Sequence, residues 1–233
     1  LMFRLIAAAA ALVFSLSSAS LQAAEPVVVV ELYTSQGCSS CPPADKLLGE
    51  LADRRDVLPL ALHVDYWDYI GWADSFANPA YTKRQRAYAR VAGSRSIYTP
   101  QMIIGGKDHV IGYKPMAVAD AIQANRHASP IDIGMIQSGG TVVITAQPQG
   151  KLPSHMQVQL IRYAPRKSVK IERGENAGKT IRYHNIVLDW SIVGAWDGRA
   201  PFMAEVNAPA DGQYAVIIQR RGPGAVVAAA RLN

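Results

Sequence analysis

Cys38 and Cys41 are the only cysteines in 233 residues, and they stand in the run Gly37-Cys38-Ser39-Ser40-Cys41-Pro42-Pro43. Two residues between sulfurs permit a small disulfide ring, in which one thiolate attacks a partner and the other resolves the mixed disulfide. The run joins an apolar stretch, Val27 to Tyr33, to a helical pattern with Leu47, Leu48 and Leu51 spaced for one buried face. Cys38 is therefore expected near a helix N-terminus, where unpaired N–H groups and the dipole favour a thiolate. Two other uses of the pair stay open. A purely structural disulfide would close so short a loop that it contributes only ~2 kcal/mol, against roughly 4–5 kcal/mol for a long one. A zinc site would need further ligands, but there is no second Cys pair and the five histidines have no finger spacing. A four-cysteine iron–sulfur cluster is excluded by count.

Pro42 and Pro43 shape the helix start. Proline lacks an N–H and pushes the preceding residue out of the α region, so Ser40 or Cys41 is expected as the cap. Cys38 then sits further from the dipole, with the Ser39 and Ser40 hydroxyls as local donors. The segment His63-Val64-Asp65-Tyr66-Trp67-Asp68 ends a second strand pattern, Val57 to Val64, at the same sheet edge as the Cys pair. Ligands gather beyond the carboxyl ends of strands in open α/β sheets, which makes Trp67 a candidate substrate-facing residue. The competing reading is packing, with Trp67, Tyr69 and Trp72 filling an insertion and His63 a satisfied core residue.

The elements around these residues change character near residue 130. Before it, strand and helix patterns alternate in the order β-α-β-α-β-β-α. Asn78-Pro79 reads as an N-cap with proline at the first helical position, and Gly93 suits that helix's end. Gln101 to Ile104 and Asp108 to Ile111 are strand candidates joined through Gly105-Gly106, and Pro115 opens a last helix running to about His127. After it, Thr141 to Thr145, Met156 to Tyr163, Phe202 to Val206, Tyr214 to Gln219 and Ala225 to Ala230 are strand-like runs between loops rich in Gly, Pro, Asn and Asp. Regularly spaced short strands suggest a sandwich, or a sheet packed on the first domain.

Composition is that of a folded chain, 49 % apolar and 18 % charged. Residues 2–24 hold one charge, an apolar run from Leu5 to Leu16, then small residues to Ala24. That is the layout of a secretory signal peptide, and the run falls short of the roughly 20 residues that span a bilayer. The expectation is export to the periplasm or medium, where disulfides persist, with no stable membrane span in the mature form. Residues 25–130 carry 11 basic and 11 acidic side chains, whereas 131–233 carry 12 basic and 7 acidic. The densest basic cluster is Arg162, Arg166, Lys167, Lys170 and Arg173. The plainer reading is a solvated sheet face, with an anionic partner or lipid headgroups as the alternative, and export argues against a nucleic-acid partner.

The stretch from Val27 to Ala128 resembles a thioredoxin-like domain: a strand, CSSC at a helix start, then Tyr98-Thr99-Pro100-Gln101-Met102-Ile103-Ile104 leading into a Gly-Gly hairpin. The resemblance implies that Pro100 has a cis bond and sits against the Cys pair, with Thr99 facing substrate; X–Pro bonds alone carry a small cis penalty. It also makes Glu31, seven positions before Cys38, the counterpart of a buried acid that moves protons for the resolving Cys41. A strand-end Glu reaching solvent is the competing reading. The aromatic residue often found before the first cysteine is Gly37 here. The whole chain also resembles an uncharacterised family of secreted bacterial proteins, through GCSSCPPAD, HVDYWDYIGW, Arg84-Gln85 and ERGENAG.

The expected organisation is a signal peptide over 1–24, an α/β thioredoxin-like domain over 25–128, and an all-β, sandwich-like domain over 129–233. The expected function is an exported thiol–disulfide oxidoreductase or redox partner, with Cys38 attacking, Cys41 resolving and Glu31 as base. Thr99, Pro100 and Trp67 would face client proteins, and no cofactor or resident metal is expected. A copper or other soft-metal carrier using Cys38, Cys41 and His63, or a non-catalytic binding protein with a local clip, are the alternatives.

Overall fold

The computed structural model describes residues 27–232, so the expected signal peptide lies outside the described residues. The elements are β1 (Val28–Thr34), α1 (Pro42–Ala52), β2 (Val57–His63), α2 (Pro79–Val91), β3 (Gln101–Ile104), β4 (Asp108–Ile111) and α3 (Pro115–Ala124), then β5 (Ile131–Ser138), β6 (Thr141–Pro148), β7 (Met156–Lys170), β8 (Thr180–Trp196), β9 (Phe202–Asn207), β10 (Gln213–Arg220) and β11 (Val226–Arg231). The class is mixed α/β. Eight strands form one mixed sheet in the order β11-β10-β7-β8-β2-β1-β3-β4, and β5-β6-β9 form a separate antiparallel sheet. No helix of the described residues is long and apolar enough to cross a membrane.

All seven residues of β1 are buried, as a near-continuous apolar run requires when both faces are covered. It runs parallel to β2, from Val28↔Val57 to Thr34↔His63, and antiparallel to β3. On one face Val28, Val30 and Leu32 pack with Ala44, Leu48 and Leu51 of α1 and with Val118 and Ile122 of α3. On the other, Val29 and Tyr33 pack with Tyr81 and Tyr88 of α2. Each large side chain so buried contributes about 1.5–3 kcal/mol, which locks β1 and hence the turn that follows it. A third cluster joins Val142, Ile144 and Ala146 of β6 to Val158, Leu160, Val216 and Ile218 of the large sheet.

Local chemistry sets the ends. Asn78 accepts a hydrogen bond from the Ala80 N–H (2.9 Å) at the start of α2, with Pro79 next. Gly105 and Gly106 both take positive φ (60° and 72°), as the tight β3–β4 turn requires. Helix α3 stops at Ala124 rather than near His127, because the Asn125 side chain turns back to donate to Asp108 (2.6 Å) and to the Ala121 carbonyl (2.8 Å).

After α3 every regular element among the described residues is a strand. Two of them, β5 and β8, go unmarked by sequence pattern. The 17-residue β8 lies between β7 and β2, so strands from both halves of the chain share one sheet. Its parallel contact with β2 is brief, Ala61↔Ile186. Pro59 has no N–H to offer there, and the Asn185 amide donates to the Pro59 carbonyl (2.8 Å) in place of a ladder bond.

Candidate functional site: a buried disulfide at a helix start

The β1–α1 turn is held from within. The Cys38 N–H donates to Ser35 O (3.2 Å) and the Cys41 N–H to Cys38 O (3.2 Å). Cys41 is the N-cap of α1, with Pro42 and Pro43 filling first-turn positions whose N–H groups would have no helical acceptor. Its carbonyl accepts from the Ala44 (2.8 Å) and Asp45 (3.1 Å) N–H groups. Cys38 and Cys41 form a disulfide, with Cα atoms 5.4 Å apart. Neither sulfur-bearing side chain meets solvent: Cys38 is 1 % exposed and Cys41 0 %. Ser39 and Ser40 are exposed on the loop, and the Ser40 hydroxyl lies 3.4 Å from the Cys38 sulfur.

Three of the sequence-selected residues come together beside this pair. The Thr99–Pro100 peptide is cis. Gly112 leaves a gap in which an added Cβ would meet Ala44 Cβ (3.0 Å), Pro100 Cβ (3.2 Å) and Leu32 Cδ1 (3.3 Å). Pro100 therefore lies against the first turn of α1, just past Cys41. Trp67 links the two segments: its indole N–H donates to the Thr99 hydroxyl (2.7 Å), and its Cβ lies 3.3 Å from where a Cβ on Gly37 would stand.

Glu31 goes elsewhere. Its carboxylate accepts from the Arg84 guanidinium twice (2.7 Å each), from the Tyr33 hydroxyl (2.9 Å) and from the Tyr88 hydroxyl (2.7 Å). Strand alternation puts it with Val29 and Tyr33 on the α2 face, across β1 from α1. It is fully buried rather than solvent-directed, yet it is an anchor for α2 and not a neighbour of the sulfurs.

The carboxyl on the Cys41 side is Asp45, 2 % exposed and one helical turn further along the same face of α1. One of its oxygens accepts from the Thr34 hydroxyl (2.8 Å), while Oδ2 has no hydrogen-bond partner among the described residues. Burial pushes its pKa up to about 7; His63 and the Thr34 hydrogen bond pull it down, and Asp74 pushes it up. His63 Nδ1 meets Asp74 Oδ2 at 2.7 Å, and Asp74 also accepts from the Gln36 N–H (2.8 Å). The His63 ring is boxed edge-on by Phe76 and Tyr183. Among the described residues His63 Nε2 and the Tyr183 hydroxyl are buried without partners, like Asp45 Oδ2. Burial raises the Tyr183 pKa, and Asp45 and Asp74 push it further up. A compact set of polar groups thus underlies the disulfide loop. No three or more His, Cys, Asp or Glu side chains among the described residues are grouped to hold a metal ion.

A residue 138 positions from Cys38 completes the site. Asn176, in the turn between β7 and β8, is 0 % exposed and donates to both Gln36 O and Cys38 O (2.9 Å each). It belongs to the ERGENAG run, but no residue-level signal ties it to the cysteines. Asp45 was accessible to sequence reasoning, since the helical period places residue i+4 beside Cys41. The Arg166, Lys167 and Lys170 side chains stand exposed along the outer part of β7.

Fold and site together define a mixed α/β protein with a sealed two-residue-spaced disulfide at a helix cap. The chain belongs to the DUF1223 family, described as proteins of unknown function, whose model matches residues 29–219. It is similar to the crystal structure of protein AGR_C_4864 from Agrobacterium tumefaciens, at 34 % identity over 89 % of this chain and 95 % of that chain, with a TM-score of 0.77. No curated protein matches.

Proposed function

We propose that this protein is an exported thiol–disulfide exchange protein, in which residues 25–128 form a thioredoxin-like unit and residues 129–233 a β-rich unit that serves partner recognition. The sheet order β2-β1-β3-β4, with α1 and α3 packed on one face and α2 on the other, supports the fold assignment. The observation that carries the chemistry is the Cys38–Cys41 disulfide at the α1 cap, with Pro100 against the same turn and Thr99 tied to Trp67. A disulfide is also compatible with an oxidising compartment, which agrees with the leader-like segment.

In the exchange, a partner thiolate attacks the Cys38 sulfur. The new bond joins the partner to Cys38, the Cys38–Cys41 bond breaks, and its electron pair leaves on Cys41. Cys41 is buried, so its thiolate takes a proton; Asp45, poised near neutrality one turn away, supplies it. A second partner thiolate then releases Cys38, leaving the partner oxidised and the pair reduced. In the reverse direction Cys38 attacks a partner disulfide and Cys41, deprotonated by Asp45, resolves it. The role first given to Glu31 passes to Asp45, while Thr99, Pro100 and Trp67 remain the partner-facing set.

The burial of both sulfurs favours a second reading, a closed clip in a secreted binding protein. Cys41→Ala separates the two. Incubated with oxidised glutathione, the variant should form a Cys38–glutathione adduct detectable by mass, and with a reduced two-cysteine model substrate the wild type should transfer its disulfide. A Cys38 that takes up no glutathione under native conditions, together with no transfer, leaves the clip. Stoichiometric Cu(I) binding lost in either cysteine variant would point instead to a carrier.

A further inference from the structure

The turn between β7 and β8, residues 171–179, closes on itself and on the disulfide loop. The Ile171 N–H donates to Lys179 O (2.9 Å), the Gly178 N–H donates to Ile171 O (2.8 Å), and Ile171 is fully buried. Gly174, at φ +76°, lies where an added Cβ would meet Trp72 Cβ at 3.3 Å and Ile70 O at 3.4 Å. From this frame Asn176 reaches the carbonyls on either side of Gly37, and its own oxygen accepts from the Lys179 ammonium (2.9 Å). Glu175 accepts from the Ser39 N–H (3.3 Å). Burying an amide is costly unless it is paired, and here both its donor and its acceptor ends are engaged. These bonds span 136 to 140 positions of sequence and converge on residues 36–39, the segment that leads into the disulfide loop and carries Cys38.

We propose that Asn176 is a positioning residue, which clamps the Cys38 loop shut, and that release of the 171–179 turn is the step that admits a partner thiolate to Cys38. The proposal rests on the exchange reading for its purpose, since a sealed sulfur cannot be attacked along the disulfide axis without such a movement. It gives the ERGENAG run a job at the site, although that run lies in the β-rich half of the chain. Release leaves the covalent chemistry as described above: the partner sulfur bonds to Cys38 and Cys41 departs with the electron pair.

The test is the rate at which a water-soluble phosphine reduces Cys38–Cys41 in the folded protein, read by alkylation of the freed thiols. Two hydrogen bonds of ordinary net strength correspond to roughly ten- to a hundredfold in an opening equilibrium, and Asn176→Ala should be reduced faster by that factor. Lys179→Met, which removes only the Nζ contact from an exposed position, should give a smaller acceleration and decides the matter if Asn176→Ala does not fold. Val158→Ala, in the separate core under β6, lowers the unfolding midpoint without touching the clamp and should leave the rate unchanged. Wild-type rates in both clamp variants, or equal acceleration in Val158→Ala, would overturn the proposal. Faster phosphine reduction in a protein that never exchanges with glutathione retains the clamp and rejects the exchange reading. Ready glutathione exchange that is indifferent to Asn176 does the opposite.

Discussion

Replacing Asp45 with Asn removes one ionisable proton and little else, because the amide oxygen still accepts from Thr34. The carboxyl has a pKa of about 7 in the folded protein, against about 3.9 for an unfolded aspartate. A raised folded value means that the native state holds this proton more tightly than the unfolded chain does. Below about pH 4 both states are protonated and the group contributes nothing. As pH rises from about 4 to 7 the unfolded chain sheds the proton first, so stability falls by about 1.4 kcal/mol per pH unit, reaching a loss on the order of 4 kcal/mol above pH 7. His63, Asp74 and Tyr183 face the same space and are common to wild type and variant. The informative quantity is therefore the difference between wild type and Asp45→Asn, measured by urea unfolding with the disulfide intact from pH 4 to 9. The two should agree near pH 4 and diverge to a few kcal/mol in the variant's favour by pH 8. In the proposed exchange the same variant should also reduce more slowly, since Cys41 would lose its proton donor. Parallel stability profiles at all pH values would show that Asp45 is not the buried acid described here.

Glu31→Gln leaves Arg84 without its counter-charge in a largely buried setting. It should cost about 3–5 kcal/mol in chemical denaturation while the native-state reduction rate of the disulfide stays unchanged. A changed rate would place Glu31 in the sulfur chemistry after all. Gly112→Ala forces a methyl into the space shared by Ala44, Pro100 and Leu32. It should destabilise by about 1–3 kcal/mol and weaken transfer to a protein substrate more than reduction by a small phosphine, because it displaces Pro100 and not the sulfurs. Equal effects on both assays would detach Pro100 from partner binding.

What the sequence disclosed and what it hid follow from the range of the interactions. The apolar run of β1, the Asn78-Pro79 cap and the Gly105-Gly106 turn are local signals with local causes, and the structure has each at its expected place. The position of Glu31 was open to the same kind of reasoning. Alternation along the strand pairs it with Val29 and Tyr33 and against Leu32, so parity alone sets it on the face away from α1. β8 was hidden because a strand lying between two others, partly covered on each face, needs no regular polar alternation. Asn176 was hidden for a different reason. Its role exists only once the hairpin folds over a loop 138 residues earlier in the chain, and nothing in the neighbourhood of either segment encodes that meeting.

The decisive experiment is equilibration of the oxidised protein in glutathione buffers of graded ratio, with free thiols at Cys38 and Cys41 counted by alkylation at each ratio. A reversible transition between oxidised and reduced forms, with a midpoint between about −270 and −120 mV, is expected of an exchange pair. A bond still intact below about −300 mV, in a protein that remains folded throughout, would make Cys38–Cys41 a structural clip and remove the basis for the proposed function.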